Sequence, residues 1–526
     1  MHSNNEKSGR PEDNSTGLAV FTFLFAWATI FELPVTAPLP QNFSALSLNN
    51  LTKLVFVFLC IWAILKPSSL FRSIPFFAYT LLAIVMTLPL VPNHIFVQII
   101  ILTTILACFI YSIIKERSNF TKTKFYELFA SVLRLELIII YFWAAFHKLN
   151  TGFLNYRISC ATVQIFNFKD MIPFFPTPDW FIYINPYLTL LIEGLIPILL
   201  IIPKTRIYGL ILGFCFHFIL GFLYTSFTIF IYSLFSLFIP SSSYDKIKTK
   251  VVELMDRIWE ALPGISNYKH WKKTVFGNIT INVVLVLLIF FILRVFKAGG
   301  QRTLLPVSVG GLYLIFCIFL GITFIYFVVR RLKELRIGER LVFIPQKKWL
   351  LIFPAIVFLN GLLPYIGLKN IQVFAMFSNL QTEGGKTNHL LIPSSFQLFN
   401  NLEDLVSIKR SNNKGLNQLS QGVFRKIKRV TTVLIPKSYF EYMKEKNEDF
   451  KIRLKYKIPF VMLQNIVTRG TQLGVKNIEL EYERGGETFY TKNAELDPLL
   501  SNASAFQIIF LSQRAVPEDE RGLCMW

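Results

Sequence analysis

Ile138–Gly152, IIIYFWAAFHKLNTG, is the stretch that decides the fold. With the residues before it, this apolar run is long enough to cross a bilayer, and it ends in the adjacent basic residues His147 and Lys148. Basic side chains at the end of a membrane helix usually extend into the lipid headgroups. Here the neighbouring loops on the same side carry little Lys or Arg, so topology does not require a basic residue at this end. Lys148 is therefore a candidate for chemistry.

The composition is that of an integral membrane protein. Of 526 residues, 53% are hydrophobic and 53 are Phe, and the formal net charge is +22. We interpret the excess of Lys and Arg as loop anchors that contact anionic lipid. No basic–aromatic stripe, zinc finger or helix-turn-helix pattern in the sequence indicates a nucleic-acid surface. The lipid bilayer is the expected partner, and nucleic acid is not.

The sequence predicts about ten membrane spans, and an eleventh candidate at 350–367 is equally apolar. The run 207–240 is ambiguous, because it fits either one long segment or two short helices with a turn near Gly221. With that run counted as two, the predicted spans are 17–36, 51–66, 70–91, 94–114, 132–148, 183–203, 207–222, 223–240, 279–297 and 304–329.

Positive charge decides the predicted orientation. The loops near 37–50 and 92–93 carry no charge, whereas Lys and Arg concentrate in alternate loops. If every basic loop is cytoplasmic, the N-terminus lies inside, 207–240 crosses twice and the region after 367 lies outside. The basic loops are those with Lys66 and Arg72, with 115–124, with Lys204 and Arg206, with 246–273 and with 330–348.

The composition becomes polar near residue 368, which predicts a separate domain. Alternating segments at 452–458 and 477–492 predict strands, the second with a Gly-Gly turn between its arms, and 436–445 and 459–471 predict helices. The expected fold is mainly α: a polytopic membrane helix bundle with a C-terminal extracytoplasmic α+β domain. The predicted parts are a cytoplasmic tail at 1–16, a multi-span domain at 17–367 with a core of about 17–330, and the α+β domain at 368–526.

Four ionisable residues at or within the apolar spans are not explained by the cytoplasmic loops: Lys148, His94, Glu193 and His217. One interpretation is that they are separate, with a lysine and a histidine in the headgroups and a glutamate paired for packing. The other is that they line one outward-opening site in the outer half of the bundle. In such a site a desolvated lysine amine is a competent base, and histidines can hydrogen-bond an anionic intermediate or hold a ring-bearing cofactor.

Two cysteines, Cys160 and Cys524, lie outside the apolar runs. They can form a disulfide if both face an oxidising compartment, although two lone cysteines leave this open. The sequence contains no pattern that predicts a metal site.

The stretch YFWAAFHKLNTGF (141–153) resembles the signature of the horizontally transferred transmembrane domain family, which includes the vitamin K-dependent gamma-carboxylases. That signature runs roughly Tyr-Phe-x-Ala-Gly-x-x-Lys-Leu, after a span that begins with Arg. Ala145 stands where the signature has Gly. The matching residues are Arg134, Tyr141, Ala144, Lys148 and Leu149.

Other stretches resemble the same family in the same order. NHIF (93–96) is similar to its Asn-His pair and aligns His94 with that histidine, while 190–206 is similar to its Glu and Pro span. FHFILGFLYTSFTIFIYSLFSLF (216–238) is similar to its membrane-re-entering region. FAMFSNLQTEGGKTNHLLIP (374–393) is similar to a stretch that follows the spans in bacterial members.

The resemblance implies a specific activity and specific residue roles. Reduced vitamin K or a related quinol would be the cofactor, with O₂ and CO₂ as co-substrates in the carboxylation of glutamate in a secreted peptide or protein. Lys148 would be the base and His94 its catalytic partner. The residues implied to shape the substrate and cofactor pocket are His217, Glu193, His147 and Tyr141.

Two other functions stay open. The chain could be a non-enzymatic membrane factor that binds a secreted peptide through its outer domain, in maturation, secretion or immunity. A transporter is a weaker alternative, because the acidic and histidine residues suit proton coupling but no inverted repeat or pair of broken helices is evident.

Overall fold

The computed structural model of this chain describes most of the sequence. The described residues are 16–36, 48–88, 91–171, 174–221, 223–240, 341–420, 436–446, 456–511, 513–517 and 524. The predicted spans at 279–297 and 304–329 and the first part of the strand predicted at 452–458 lie outside this set.

The described chain is mainly helical, with one small antiparallel sheet. The helices of the apolar region are α1 Thr16–Thr36, α2 Leu48–Leu65, α3 Leu70–Val85, α4 Asn93–Tyr111, α5 Lys122–Phe146, α6 Thr151–Leu154, α7 Cys160–Met171, α8 Asp179–Ile201, α9 Arg206–Gly221 and α10 Thr225–Ser236. Those that follow are α11 Ile352–Leu362, α12 Lys414–Ser420, α13 Lys437–Glu445, α14 Phe460–Gln472 and α15 Ala505–Phe510.

Three of these helices are long and apolar enough to cross a membrane: Asn93–Glu116, in which a π-helical turn extends α4, Lys122–Phe146 and Asp179–Ile201. The other apolar helices among the described residues are shorter. The ambiguous run at 207–240 is two helices, α9 and α10. The Thr228 hydroxyl near the start of α10 donates to the carbonyl of His217 near the end of α9, which ties the two helices together.

The helix containing the stretch 138–146 is longer than the sequence predicts. It begins at Lys122 rather than at 132 and ends at Phe146 rather than at 148. Its first turns carry Lys122, Lys124 and Glu127, which a search for apolar residues alone misses because helical hydrogen bonding continues through polar positions.

The chain divides into two compact units, each built from segments that are distant in sequence. The first comprises 1–82, 101–135 and 199–351, and the second comprises 83–100, 136–198 and 352–526. The change in composition near residue 368 does not coincide with a unit boundary, since residues on both sides of it belong to the second unit.

The core of the first unit is rich in phenylalanine. The ring of Phe21 packs against Phe129 at 5.5 Å, and the ring of Phe25 packs edge-on against Phe230 at 5.9 Å. Arg134 is fully buried here and donates to the carbonyl of Leu237 at 2.6 Å, besides forming an ion pair with Glu127 at 3.4 Å. Since these partners satisfy the guanidinium, Arg134 has a structural role.

The sheet of the second unit has the order β4-β3-β1-β2-β5, with every pair of neighbours antiparallel. The helix α14 packs on it, and apolar side chains of both form the core. The predicted hairpin is present as β3 and β4, and Gly485 and Gly486 of its turn have φ of +60° and +87°, which favours glycine. The strands are β1 Leu405–Ser411, β2 Tyr456–Pro459, β3 Leu480–Arg484, β4 Glu487–Thr491 and β5 Val516–Pro517.

The helix α11 packs against the last turns of α5 in the second unit. The Trp143 indole lies 5.3 Å from the Phe358 ring and against Gly361, where a Cβ atom would clash with the indole. This close approach places the segment after α11 at the end of α5, where Lys148 follows.

Candidate functional site

Lys148 is buried in the turn that follows α5, with 3% of its surface exposed. Its ammonium nitrogen lies 2.6 Å from Glu193 Oε2 on α8. It also donates to the carbonyl of Ala144 at 3.2 Å and to the carbonyl of Met376 at 3.3 Å. Two of the four residues singled out in the sequence are therefore in direct contact.

These three acceptors match in number the three protons that an ammonium group can donate. The amine can act as a base only after it loses one of those protons. Glu193 is the one acceptor of the three that can take the proton, because the other two are backbone carbonyls. Transfer within the pair leaves its net charge at zero, which avoids a lone charge in an apolar setting.

The Glu193 carboxylate can accept more hydrogen bonds than the described protein groups donate to it. Within the described part of the chain, Lys148 is its sole protein partner, whereas a carboxylate offers about four acceptor positions. Its side chain is 12% exposed, and a Cβ atom at the adjacent Gly194 would meet nothing within 4 Å. The Glu193 carboxylate can therefore accept a hydrogen bond from a ligand hydroxyl group without displacing a protein group.

His147 is held by the protein at both ring nitrogens. Nε2 lies 2.9 Å from the carbonyl of Val373, which can only accept, so Nε2 carries the proton and Nδ1 accepts from the Tyr365 hydroxyl at 2.8 Å. The ring also stacks on Trp143 at 5.2 Å. His147 therefore positions the turn beside Lys148, and contact with a substrate would require one of these bonds to break.

The 374–393 segment encloses the end of α5 through hydrogen bonds with Asn150. The Asn150 amide donates to the carbonyls of His147 and Ser378, both at 2.7 Å, and its oxygen accepts from Asn388 at 3.2 Å. The same oxygen caps α6 by accepting from the Phe153 N–H at 2.8 Å. The stretch 141–153 and the 374–393 segment thus form one connected structure.

His389 extends this structure to the last turn of α5. Its Nε2 donates to the carbonyl of Phe146 at 2.9 Å, and its Nδ1 accepts from the N–H groups of Leu391 and Ile392. Burial lowers the pKa of His389, and the hydrogen bond to Phe146 offsets this in part. The neutral ring therefore suits every contact that it makes.

The backbone just before and within the 374–393 segment is unusual. Four residues other than glycine have positive φ within a short stretch: Gln372 at 62°, Phe374 at 66°, Phe377 at 52° and Asn379 at 54°. Such conformations cost free energy and persist where the surroundings fix them. Strain of this kind is concentrated at functional sites, and here it accompanies the carbonyl of Met376 that contacts Lys148.

A buried ion pair anchors the same segment to the end of the chain. Arg514 lies 2.9 Å from Glu383, whose carboxylate also accepts from the Asn370 amide at 2.5 Å and from the Thr382 N–H at 2.9 Å. The guanidinium donates to the carbonyl of Leu380 as well. Because these charges are paired and hydrogen-bonded within the protein, they serve structure rather than chemistry.

The other predicted site residues are divided between the two compact units. His94 is the second residue of α4, and Tyr141 is buried in α5, both in the second unit. His217 belongs to α9 in the first unit, where its ring packs against Phe227 at 5.5 Å and Phe235 at 5.8 Å.

Reasoning from the sequence missed the polar residues that enclose Lys148. Conservation cannot be read from a single sequence, and all of these residues except Asn150 lie far from Lys148 along the chain. The resemblance of the 374–393 segment to a family stretch was the one signal that pointed towards some of them. The missed residues are Asn150, Tyr365, Asn388 and His389.

Cys160 at the start of α7 and Cys524 near the C-terminus are joined by a disulfide, with their Cα atoms 4.2 Å apart. Within the described residues, His, Cys, Asp and Glu form no group of three or more that could hold a metal ion.

Comparison of the chain with protein-family models, with curated proteins and with solved structures finds no match.

Proposed function

We propose that this chain is a multi-pass integral membrane protein with a cytoplasmic N-terminus and an extracytoplasmic region after α11. The three long apolar helices and the alternation of basic loops support this arrangement. The Cys160–Cys524 disulfide supports it independently, because disulfides persist in oxidising compartments. On this topology Lys148 lies at the outer end of α5.

The proposed activity is that of a quinol-dependent, carboxylase-like enzyme acting on glutamate in a secreted peptide. The observation that carries this proposal is the buried Lys148–Glu193 ion pair at 2.6 Å, enclosed by the 374–393 segment. A structural pair would be expected to use more of the hydrogen-bonding capacity of its carboxylate, as the Glu383–Arg514 pair does.

The pair supplies a base. Lys148 would pass one ammonium proton to Glu193, and the resulting amine would be able to accept a hydroxyl proton from a ligand bound beside it. When bound, a reduced vitamin K or related quinol would supply, with O₂, the chemistry that removes a glutamate γ-proton before CO₂ adds. His147 and Asn150 keep the Lys148 backbone in place during this transfer, because their bonds span both sides of the turn.

The direct test uses purified full-length protein with reduced vitamin K, ¹⁴C-bicarbonate and a glutamate-rich peptide. We expect incorporation of label into the peptide by the wild type and by Lys476→Ala, an exposed lysine that serves as the matched control. Lys148→Ala should lose activity by about 10² or more while remaining folded. Absence of incorporation by the wild type, or full activity of Lys148→Ala, would remove the carboxylase assignment.

A specific observation favours the non-enzymatic alternative. Large apolar side chains are exposed in the region after α11, among them Leu496 at 73%, Leu499 at 59% and Phe506 at 63%. Exposed apolar groups are typical of surfaces that bind a partner. Co-purification of a secreted peptide that is lost on Leu499→Ser, without any turnover of quinol, would establish this alternative.

A further inference from the structure

The strand β4 forms an open edge of the sheet in the second unit. The order β4-β3-β1-β2-β5 leaves two outer strands, and these differ in length and composition. The outer strand β5 has two residues, Val516 and Pro517, and a proline lacks the N–H group that a further strand would need. The strand β4 has five residues without a proline, and all but the last are exposed. It therefore keeps the capacity to pair with another strand.

The turn of the β3–β4 hairpin shows which backbone groups of β4 point away from β3. The turn has two residues, Gly485 and Gly486, so the residues that flank it form a hydrogen-bonded pair. Hydrogen-bonded and non-hydrogen-bonded pairs alternate from there, so Glu487 and every second residue after it bond to β3. Thr488 and Tyr490 therefore direct their N–H and C=O groups to the open edge, where no group of the described chain bonds to them.

These two outward residues make β4 complementary to a second copy of itself. When two β4 strands run antiparallel with Phe489 opposite its own copy, Thr488 of each strand lies opposite Tyr490 of the other. Both outward residues of both strands then form hydrogen-bonded pairs. Any shift of this register leaves one of the outward residues beyond the end of the other strand. One symmetric register therefore uses the whole hydrogen-bonding capacity of the edge.

The side chains on the helix-covered face of the sheet favour the same register. The rings of Phe460, Tyr482 and Phe489 form a row, with successive centroids 6.2 Å and 5.3 Å apart. The row ends at the open edge with Phe489, which is 37% exposed. The symmetric register sets Phe489 against its own copy in a non-hydrogen-bonded pair, where side chains approach most closely. The row of rings then continues into the second copy.

The charges at the two ends of β4 are opposite in sign. Glu487 begins the strand and Lys492 follows it, and both are exposed. In an antiparallel pair centred on Phe489, the Glu487 of each copy lies near the Lys492 of the other, whereas a parallel pair would bring like charges together. An unrelated peptide would have to match the hydrogen bonds, the aromatic row and the charged ends, and a second copy supplies all of them.

We propose that β4 is a dimerisation surface, through which two copies of this chain join their sheets edge to edge with Phe489 on the two-fold axis. Such an interface is isologous, because the same residues contribute from both copies. It also pairs the open edge of each sheet. The inference does not depend on the chemistry proposed at Lys148.

Cysteine crosslinking of the full-length protein in membranes tests the register. In the proposed pair the two Phe489 Cα atoms lie about 4.5 Å apart, within the range that a disulfide spans. Oxidation with copper phenanthroline should convert Phe489→Cys into a disulfide-linked dimer and leave the wild type, with its native cysteines, uncrosslinked. Glu487→Cys alone and Thr491→Cys alone should not crosslink. The two expressed together should, because residue 487 of one copy lies opposite residue 491 of the other.

Tyr490→Pro tests the hydrogen bonds of the interface. It removes an N–H group that points to the open edge, and the pairing of β4 with β3 does not use that group. By light scattering in detergent, we expect the wild type and the matched control Tyr490→Ala to have the mass of a dimer and Tyr490→Pro to have half of it.

Three results would overturn the assignment. The first is a monomeric wild type, as expected if β4 instead binds a peptide of another protein. The second is an absence of crosslinking in Phe489→Cys, or equal crosslinking of Glu487→Cys alone, which would exclude the symmetric register. The third is a dimeric Tyr490→Pro.

Discussion

Lys148 differs from an ordinary buried lysine because it is paired with a carboxylate that accepts from no other group among the described residues. The Glu193 carboxylate accepts from Lys148 alone within the described residues, while the backbone carbonyls of Ala144 and Met376 complete the lysine's shell. Such a pair holds a proton that can move between two groups without creating a lone charge. This property makes the site suitable for proton transfer. It also means that removing only one partner of the ion pair should lower the stability of the protein.

A double-mutant cycle measures that cost. Lys148→Met leaves the Glu193 carboxylate without a partner, and we expect it to lower the free energy of unfolding by about 3 kcal/mol or more. The double variant Lys148→Met with Glu193→Leu should recover most of this loss, because it removes both charges together. Unfolding in mixed detergent micelles with increasing SDS provides the measurement. A double variant as unstable as the sum of the single variants would show that the two side chains do not interact.

The His389 contacts predict a specific dependence of stability on pH. Burial lowers the pKa of His389 in the folded protein, so below about pH 6.5 the unfolded chain binds more protons at this residue than the folded chain does. This contribution to stability is complete above that pH and is lost as the pH falls. We expect the melting temperature to decline between pH 7 and pH 5, and His389→Gln to decline less steeply. Parallel slopes for the two proteins would contradict the role given to His389.

At this scale the sequence could identify Lys148 and Glu193 but not their surroundings. An ionisable residue in an apolar stretch is visible without a structure, because burying it costs free energy unless it is paired. His147 forms hydrogen bonds with two groups that are more than 200 residues away along the chain, the Tyr365 hydroxyl and the Val373 carbonyl. The sequence also could not show that His217 belongs to a different compact unit from Lys148.

Asn150 joins two elements, and its removal tests that connection. Its side chain makes four hydrogen bonds, to His147, Phe153, Ser378 and Asn388. Asn150→Ala leaves several of these buried groups unsatisfied, so we expect a loss of about 3 kcal/mol in the free energy of unfolding. Hydrogen exchange should also accelerate across the 374–393 segment. The exposed Asn493→Ala is the control, and unchanged exchange in Asn150→Ala would contradict the connection.

The elements differ in how well the sequence predicts them. The β3–β4 hairpin is confirmed, since strand alternation and a Gly-Gly turn are local properties. The start of α5 is wrong by several turns, because the helix continues through polar residues such as Lys122 and Glu127. The 374–393 segment has little regular structure, so no periodicity could predict how its backbone encloses α5.

For the whole molecule, the proposed topology predicts which exposed positions face outward. Leu473 follows α14 and is 76% exposed, and Lys66 follows α2 in a basic loop. In intact cells, a membrane-impermeant maleimide should label Leu473→Cys, whereas Lys66→Cys should react only after lysis. Labelling of Lys66→Cys in intact cells, or of Leu473→Cys only after lysis, would reverse the topology. Charge alternation in the sequence is the basis of this predicted orientation, whereas nothing in the sequence indicates that distant segments interleave in two units.

The central claim is that Lys148 acts as a base, and the variant Lys148→Arg tests it most directly. Arginine can keep the ion pair with Glu193 and preserve folding, but its guanidinium does not lose a proton in proteins. The measurement is conversion of reduced vitamin K to its epoxide by purified protein. We predict epoxide formation by the wild type and by Lys476→Arg, and a loss of about 10² or more in folded Lys148→Arg. Epoxide formation by Lys148→Arg at the wild-type rate would contradict the account.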